Sequence, residues 1–262
     1  MRGALQLAVV ALSSALAVFA AAQTDHDNVD AGRPLRFEDA EPVAFRTLAF
    51  EYGLGLSAPR RRGLGLDGTF EFVYGASLNG QLEIGFSPVL GGRPGSRDTF
   101  GAIADYDVAY LYSLRQEIRN TPALAVKGEV SLPGLAGGEP RYRVRGIATK
   151  TVGQYDRVHL NLDADFVPKA IGDERRATLG AILGYTHPIG YPREFNTTGL
   201  AEVALVPGRR AGEGYGLSLG VGVRRQISPR AVLDFGLQSD VVPGRNAAST
   251  PLRLVAGYSV SF

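Results

Sequence analysis

Three histidines give this 262-residue chain most of its scope for acid–base chemistry at neutral pH. His26 lies in a polar N-terminal stretch, His187 precedes a proline, and His159 stands between two apolar residues. A lipid hydrolase or acyltransferase would need a nucleophile beside a histidine that a third polar group holds in place. His159 alternates with apolar neighbours, which is the pattern of a strand residue in a polar network. We therefore predict no catalytic residue and no enzymatic activity.

Metal and cofactor chemistry find equally little support. The pairs Asp105/Asp107 and Asp163/Asp165 lack the other ligands of a calcium loop, and the absence of Cys excludes thiolate zinc sites. The run GYGLSLGVG has no following GK[ST] and no helix to carry a phosphate loop. The formal net charge of +2 is too small and too dispersed for a nucleic-acid binder. We expect no metal, no cofactor and no nucleic acid.

The elements that position these residues are strands, because from residue 45 onward nearly every segment has period 2. One face of each segment is apolar, as in Leu48, Phe50, Tyr52, Leu54 and Leu56, and the other is small or charged. About twelve such stripes of roughly 9 to 13 residues follow, long enough for tilted strands to cross a bilayer. Long polar connections alternate with short ones, except for an unexpectedly long link over residues 187–197. The sequence predicts an all-β fold, a closed antiparallel up-and-down transmembrane β-barrel over residues 45–262.

A soluble sandwich or lipocalin would alternate in the same way, with its apolar face turned inward. Three features favour the membrane barrel. The strands are longer than the usual mode of about 5 to 6 residues. The polar face is rich in Gly, Ser, Thr and Ala as well as charges, which suits a confined lumen. Phe and Tyr recur near stripe ends, where aromatic girdles lie, although the chain has no Trp.

The two ends of the chain indicate export to a Gram-negative envelope. Residues 1–22 have a basic start, an apolar centre and a small-residue Ala20-Ala21-Ala22 end, as a cleaved signal peptide does. An uncleaved anchor is the alternative, but no basic cluster follows. Residues 23–44 are expected to form a flexible periplasmic leader. The last stripe ends on the aromatic Phe262, which resembles the C-terminal signature that the barrel assembly machinery recognises, so we expect contact with that machinery and outer-membrane lipids.

Strand parity predicts which side chains face the lumen. Eleven acids and six bases fall on the polar face together with His159, so their charges either pair and plug the barrel or line a water-filled path. The predicted lumen-lining residues are Glu51, Asp67, Glu71, Glu83, Asp105, Asp107, Glu129, Asp163, Asp165, Glu202, Asp234, Arg115, Lys127, Arg143, Arg145, Arg224, Arg253 and His159. Arg209 and Arg210 fall instead in a long connection, where they contact anionic headgroups or stay solvated.

Three short stretches carry a family resemblance: PALAVKGEVSLPG at Pro122–Gly134, VHLNLDADF at Val158–Phe166, and the turn ISPR before a strand. In these sequence motifs and in the order of its predicted strands, the chain resembles the outer-membrane transporters linked to the meta-cleavage pathway of phenol degradation. The resemblance implies a barrel that passes small hydrophobic or aromatic compounds, and it transfers no catalytic residue.

Three functional hypotheses remain open from the sequence. The first is a porin-like passive channel or transporter for small solutes, with selectivity set by lumen charges. The second is a structural envelope barrel with a plugged lumen. The third is a barrel enzyme acting on lipids.

Overall fold

A computed structural model describes residues 33–58, 64–91, 103–134, 138–247 and 249–262 of the chain. The predicted signal peptide, residues 1–22, and the first part of the predicted leader, residues 23–32, lie outside the described residues. Within the described ranges, no helix is long and apolar enough to cross a membrane.

In the part of the chain that the structure describes, twelve antiparallel strands of 10 to 13 residues form one closed sheet. They are β1 Leu48–Ala58, β2 Gly65–Ser77, β3 Gly80–Gly91, β4 Ile103–Arg115, β5 Ala123–Pro133, β6 Arg141–Val152, β7 Asp156–Phe166, β8 Ala177–Pro188, β9 Thr197–Val206, β10 Gly216–Ser228, β11 Ala231–Val242 and β12 Leu252–Ser261. Each strand pairs with its neighbours in sequence, and β1 pairs with β12 from Ala49↔Ser261 to Ala58↔Leu252. The predicted fold class, strand number and topology are confirmed.

The apolar stripes face outward, as β8 illustrates. Leu179, Leu183 and Tyr185 on its outer face are exposed, whereas Ile182 and Thr186 on its inner face are buried. An outward apolar surface is unfavourable in water and favourable against acyl chains, which also require every strand to pair on both sides. The alternation therefore arises from a lipid-facing wall around a polar interior, as expected for a membrane barrel and opposite to a soluble sandwich.

The connections separate into two rims. One rim carries the β2–β3, β4–β5, β6–β7, β8–β9 and β10–β11 connections, and we call it the short-turn rim. The start of β1 and the end of β12 also lie there, where the Phe262 amide donates to the Leu48 carbonyl at 2.8 Å. The long link that the sequence placed there folds compactly, because Gly190 adopts a φ of 92° and its carbonyl accepts from the Arg193 amide at 3.0 Å. The opposite rim, which we call the long-connection rim, carries the connections that precede β2, β4, β6, β8, β10 and β12; they have 6 to 11 residues, against 2 to 8 on the short-turn rim.

Candidate functional site

The lumen contains most of the side chains that strand parity placed there. Eight are buried: Glu51, Glu83, Lys127, Arg145, His159, Glu202, Arg224 and Asp234. Nine are half-buried or more open: Asp67, Glu71, Asp105, Asp107, Glu129, Arg143, Asp163, Asp165 and Arg253. These charges pair between strands. Arg143 of β6 pairs with Asp165 of the neighbouring β7 at 2.7 Å, and Arg253 of β12 reaches across β1 to Asp67 of β2 at 2.7 Å.

Arg115 is the exception, and its assignment to the lumen is wrong. Ser113 pairs with Ala125, but a β-bulge between Ser113 and Arg115 shifts the register, so Arg115 pairs with Leu124 instead of the inward-facing Ala123. The guanidinium is exposed at the short-turn rim and donates to the Pro122 carbonyl at 3.1 Å. Because a one-residue shift moves a side chain to the other face of a strand, parity fails beyond the bulge.

Residues 33–44, which we call the inner segment, run through the lumen before β1 begins. Arg33, Leu35, Phe37, Glu38 and Ala40 are all buried. This corrects the expectation of a flexible periplasmic leader for these residues. Leu35 and Phe37 need an apolar environment and the charged groups need counterions, and the lumen supplies both.

The inner segment is not part of the β-sheet, and its backbone amides donate to side chains of the barrel wall. Its amides donate as follows: Arg36 and Phe37 to Glu202 at 2.7 and 3.3 Å, Glu38 to Asn161 at 2.7 Å, Ala40 to Thr149 at 3.1 Å, and Val43 to Gln81 at 2.7 Å. Buried amides without partners would be costly, so these acceptors on β3, β6, β7 and β9 stabilise this path of the chain.

Ion pairs fasten the middle of the inner segment to β5 and β6. Glu38 lies 3.0 Å from the Lys127 ammonium and 3.4 Å from the Arg145 guanidinium. Each base also has a wall partner, Glu83 at 2.5 Å for Lys127 and Asp163 at 2.6 Å for Arg145. A buried charge needs such compensation, and a buried network that loses one member is strongly destabilised.

The start of the inner segment is fastened to the opposite wall. Arg33 pairs with Glu51 of β1, lies 3.8 Å from Asp234 of β11, and donates to the Ser259 hydroxyl of β12 at 3.0 Å. Asp234 also pairs with Arg224 at 3.0 Å. With contacts on β1, β11 and β12 at one end and β5 and β6 further along, the segment spans the lumen.

Two apolar patches on the inner wall complete this packing. The first holds Leu35 and Phe37 against Ile182, Leu200 and Ala204. The second holds Ala40 against Leu111, Ala123, Ala125 and Ile147. Burying such side chains stabilises the docked segment through the hydrophobic effect. The expectation of a small or charged inner face does not include these two patches, although the inward parity of their strand residues indicates them.

Glycines on the inner wall make room for this close approach. A Cβ atom at Gly184 would lie 2.5 Å from Cγ of Phe37, and one at Gly236 would lie 2.5 Å from the Pro34 carbonyl oxygen. Real Cβ contacts are essentially never that short. The side-chain-free positions on β8 and β11 are therefore steric requirements of the docked inner segment.

His159 is a structural residue of the same assembly. Its ring nitrogens lie 3.1 Å from the Thr149 hydroxyl and 3.3 Å from the Thr186 hydroxyl, and Phe37 packs on the ring with centroids 4.9 Å apart. The side chain is fully buried. It contacts neither lipid nor the open lumen, as its assignment to a polar network implies. His187 lies at the exposed short-turn end of β8 and pairs with Asp156 at 2.6 Å, while His26 is outside the described residues.

A cavity of about 490 Å³ lies between the inner segment and the long-connection rim. Arg33 and Arg36 border its inner end, and strand residues near the long connections border the other. Its charged lining includes Glu71, Glu83, Asp107, Glu129, Asp163, Asp165, Lys127, Arg143, Arg145 and Arg209. Arg209 was expected at a headgroup or in bulk water, but the β9–β10 connection directs it to this cavity.

The inner segment, Arg157 and Arg209 are the main features that sequence analysis did not assign to the lumen. Arg157 pairs with Asp39 at 3.7 Å and with Glu41 at 2.8 Å. Arg157 and His159 are two positions apart on β7 and lie on the same face, so the alternation indicates an inward Arg157 side chain. Residues 33–44 and Arg209 lie outside the alternating stripes, so no periodic signal could have placed them.

Neither a protein-family model nor a curated protein matches this sequence. Solved structures do match. An outer membrane channel from Pseudomonas putida F1 is 16% identical, with 90% of this chain and 100% of that chain covered and a TM-score of 0.68. The KdgM porin, solved with disordered oligogalacturonate, is 10% identical over 82% and 99% of the two chains, with a TM-score of 0.58. The NanC porin is 9% identical over 80% and 98%, with a TM-score of 0.58. At these identities the likeness establishes the fold, a closed β-barrel of the architecture that these outer-membrane proteins have.

Proposed function

We propose that this protein is a passive outer-membrane channel for small solutes, occupied in this structure by its own inner segment. The observation that carries the proposal is the charged cavity of about 490 Å³ at the long-connection end of the lumen. A purely structural barrel has no need of a solute-sized polar cavity. Passage to the short-turn side requires the inner segment to move, because it spans the lumen between β1 and β5.

The segment's position can be tested with a single engineered thiol, because the chain contains no Cys. Ala40 of the inner segment is fully buried against the barrel wall. An Ala40→Cys variant, labelled with a bulky maleimide while unfolded and then refolded into bilayers, cannot dock the segment. We expect its conductance and its solute-driven liposome swelling to exceed those of the unlabelled variant. Asn79→Cys, in the exposed β2–β3 turn, is the matched label control.

The plugged structural barrel remains a second candidate, because the inner segment is so fully bonded and buried. The same experiment separates the two functions. Absence of conductance and swelling from both the labelled and the unlabelled protein would contradict the channel and support the structural barrel.

A lipid hydrolase is not proposed, because the histidine with most scope for catalysis is sealed beneath Phe37. Were the protein such an enzyme, it would turn over labelled phospholipid and lose that activity in His159→Ala. We expect no turnover from either protein.

Export and assembly complete the proposal. Residues 1–22 would direct the chain to the envelope, and the strand ending at Phe262 would be recognised by the barrel assembly machinery. Support comes from the sequence pattern and from the outer-membrane barrel fold. A Phe262→Ala variant is expected to reach the outer membrane in smaller amounts, while its purified form still refolds in vitro.

From the resemblance to the phenol meta-pathway transporters, we also propose that the channel passes hydrophobic or aromatic compounds. Uptake of such a compound by cells expressing the protein, compared with cells lacking it, tests this link.

A further inference from the structure

The charges that line the cavity do not all neutralise one another. Lys127, Arg143 and Arg145 each have carboxylates within 4.0 Å. Among the described residues, Glu71 and Asp107 have no base within that distance, and Arg209 has no carboxylate. Unpaired groups of both signs therefore remain at the surface of one water-accessible cavity.

The two unpaired acids flank a gap in the wall. Glu71 of β2 pairs in register with Gly85 of β3, and Gly85 pairs in register with Asp107 of β4. A Cβ atom built on Gly85 would lie 3.2 Å from the Phe70 carbonyl oxygen, 3.8 Å from Cβ of Asp107 and 3.9 Å from Cγ of Glu71. The missing side chain leaves a notch with a carboxyl group on each side. Glu71 shares a hydrogen bond with the Glu83 side chain, and such a bond requires one of the two carboxyl groups to carry a proton. Asp107 therefore supplies the negative charge of the notch, and Glu71 supplies a polar oxygen.

The unpaired base comes from a different part of the barrel. Arg209 lies in the β9–β10 connection, six strands away from β3, and is exposed. Its charged surroundings are two complete ion pairs, Arg143 with Asp165 and Arg141 with Glu174. These pairs leave the Arg209 charge available, and a guanidinium is well suited to bind a carboxylate.

We infer that the cavity binds small zwitterions, with an ammonium group in the notch at Glu71, Gly85 and Asp107 and a carboxylate at Arg209. This inference rests on the proposed channel function and names its substrate class. A solute without charge would leave the notch and Arg209 to water. A zwitterion satisfies both signs at once, at two places in the same cavity.

Equilibrium binding to the purified protein in detergent tests the inference without requiring transport. The probes are 4-aminobutyrate, butyrate, butylammonium and the uncharged butyramide, which share one carbon skeleton. Each exposed ion pair contributes about two- to fivefold in affinity. We expect 4-aminobutyrate to bind most tightly, butyrate and butylammonium less tightly, and butyramide least.

Variants assign the two ends of the zwitterion. Asp107→Asn should weaken 4-aminobutyrate and butylammonium by about two- to fivefold and leave butyrate unchanged. Arg209→Gln should weaken 4-aminobutyrate and butyrate by a similar factor and leave butylammonium unchanged. Gly85→Ala fills the notch without changing charge and should act like Asp107→Asn. Arg210→Gln and Asp173→Asn, which alter a solvent-exposed pair 3.8 Å apart, are the matched controls.

The outcomes separate this inference from the channel proposal. Equal affinity for all four probes, or tightest binding of butyramide, would overturn the zwitterion site even if the protein conducts. Variant-sensitive binding of 4-aminobutyrate without conductance or swelling would support the site and contradict the channel.

Discussion

Glu38 of the inner segment lies 3.0 Å from Lys127 of β5, although 89 residues separate them along the chain. The contact joins a segment outside the strand pattern to the centre of the barrel wall. Lys127 also pairs with Glu83 at 2.5 Å, so the segment supplies one of two carboxylates to a buried base. The state of the lumen therefore depends on whether this shared ion pair forms.

Removing the Glu38 charge should loosen the inner segment. Glu38→Gln keeps the shape of the side chain but removes its ion pairs with Lys127 and Arg145, and hydrogen bonds to charged groups contribute about 1.5–3 kcal/mol. In an Ala40→Cys background, we expect maleimide labelling of the folded protein to become at least about tenfold faster. Glu194→Gln, at an exposed side chain in the β8–β9 connection, is the control and should change labelling little. Equal rates in the two variants would show that Glu38 does not hold the segment.

Steric displacement should have the same effect without changing charge. Gly184→Ala places a Cβ atom 2.5 Å from the Phe37 ring, so the ring must leave its pocket. We expect higher conductance in planar bilayers and faster labelling of Ala40→Cys. Gly128→Ala puts a methyl group where nothing lies within 4 Å and should match the parent protein. A channel whose conductance is the same in both variants would contradict a closing role for Phe37.

The outer wall should reject charge. Leu183 is 53% exposed on the lipid-facing side of β8, and an arginine there costs about 2–4 kcal/mol near the bilayer midplane. Leu183→Arg is therefore expected to lower the free energy of unfolding from lipid vesicles, measured by urea titration. Leu78→Arg, in a turn where the side chain is 82% exposed, should be nearly neutral. Similar losses in both variants would contradict the assigned lipid face.

The turn between β4 and β5 should show a pH-dependent contribution to stability. Burial acts to raise the pKa of Glu117, but hydrogen bonds from Lys150 and Thr151 outweigh it and bring the pKa below its ordinary value. Because the folded-state pKa is the lower one, the stabilisation is complete above the unfolded-state pKa and is lost as pH falls through the folded-state pKa. We expect Glu117→Gln to cost up to about 1 kcal/mol at pH 7.

Unfolding of both proteins at several pH values checks the sign of this effect. The difference in unfolding free energy between the parent and Glu117→Gln should shrink as the solution is acidified below pH 4. A difference that grows on acidification would mean that the Glu117 carboxylate is destabilised in the folded protein.

Much of the lumen could be predicted because the orientation of a strand residue is a local property. Successive side chains point to opposite faces, so Glu51, Lys127, Arg145 and Glu202 could be placed inside from their neighbours alone. Arg115 could not, because the bulge that turns it outward is an irregularity of pairing with β5. His159 was placed correctly on the inner face, but its Phe37 cover comes from 122 positions earlier in the chain.

By itself, the sequence determined the strands, their number, their two chemically distinct faces and most of the inward charges, because a period of two is written in adjacent residues. Only the tertiary structure decided that the inner segment crosses the lumen and that Arg209 lines the cavity. Both depend on closure of the barrel, which brings side chains from distant strands around one axis. Residues 33–44 carry no periodic signal, and their stability comes entirely from partners that closure provides.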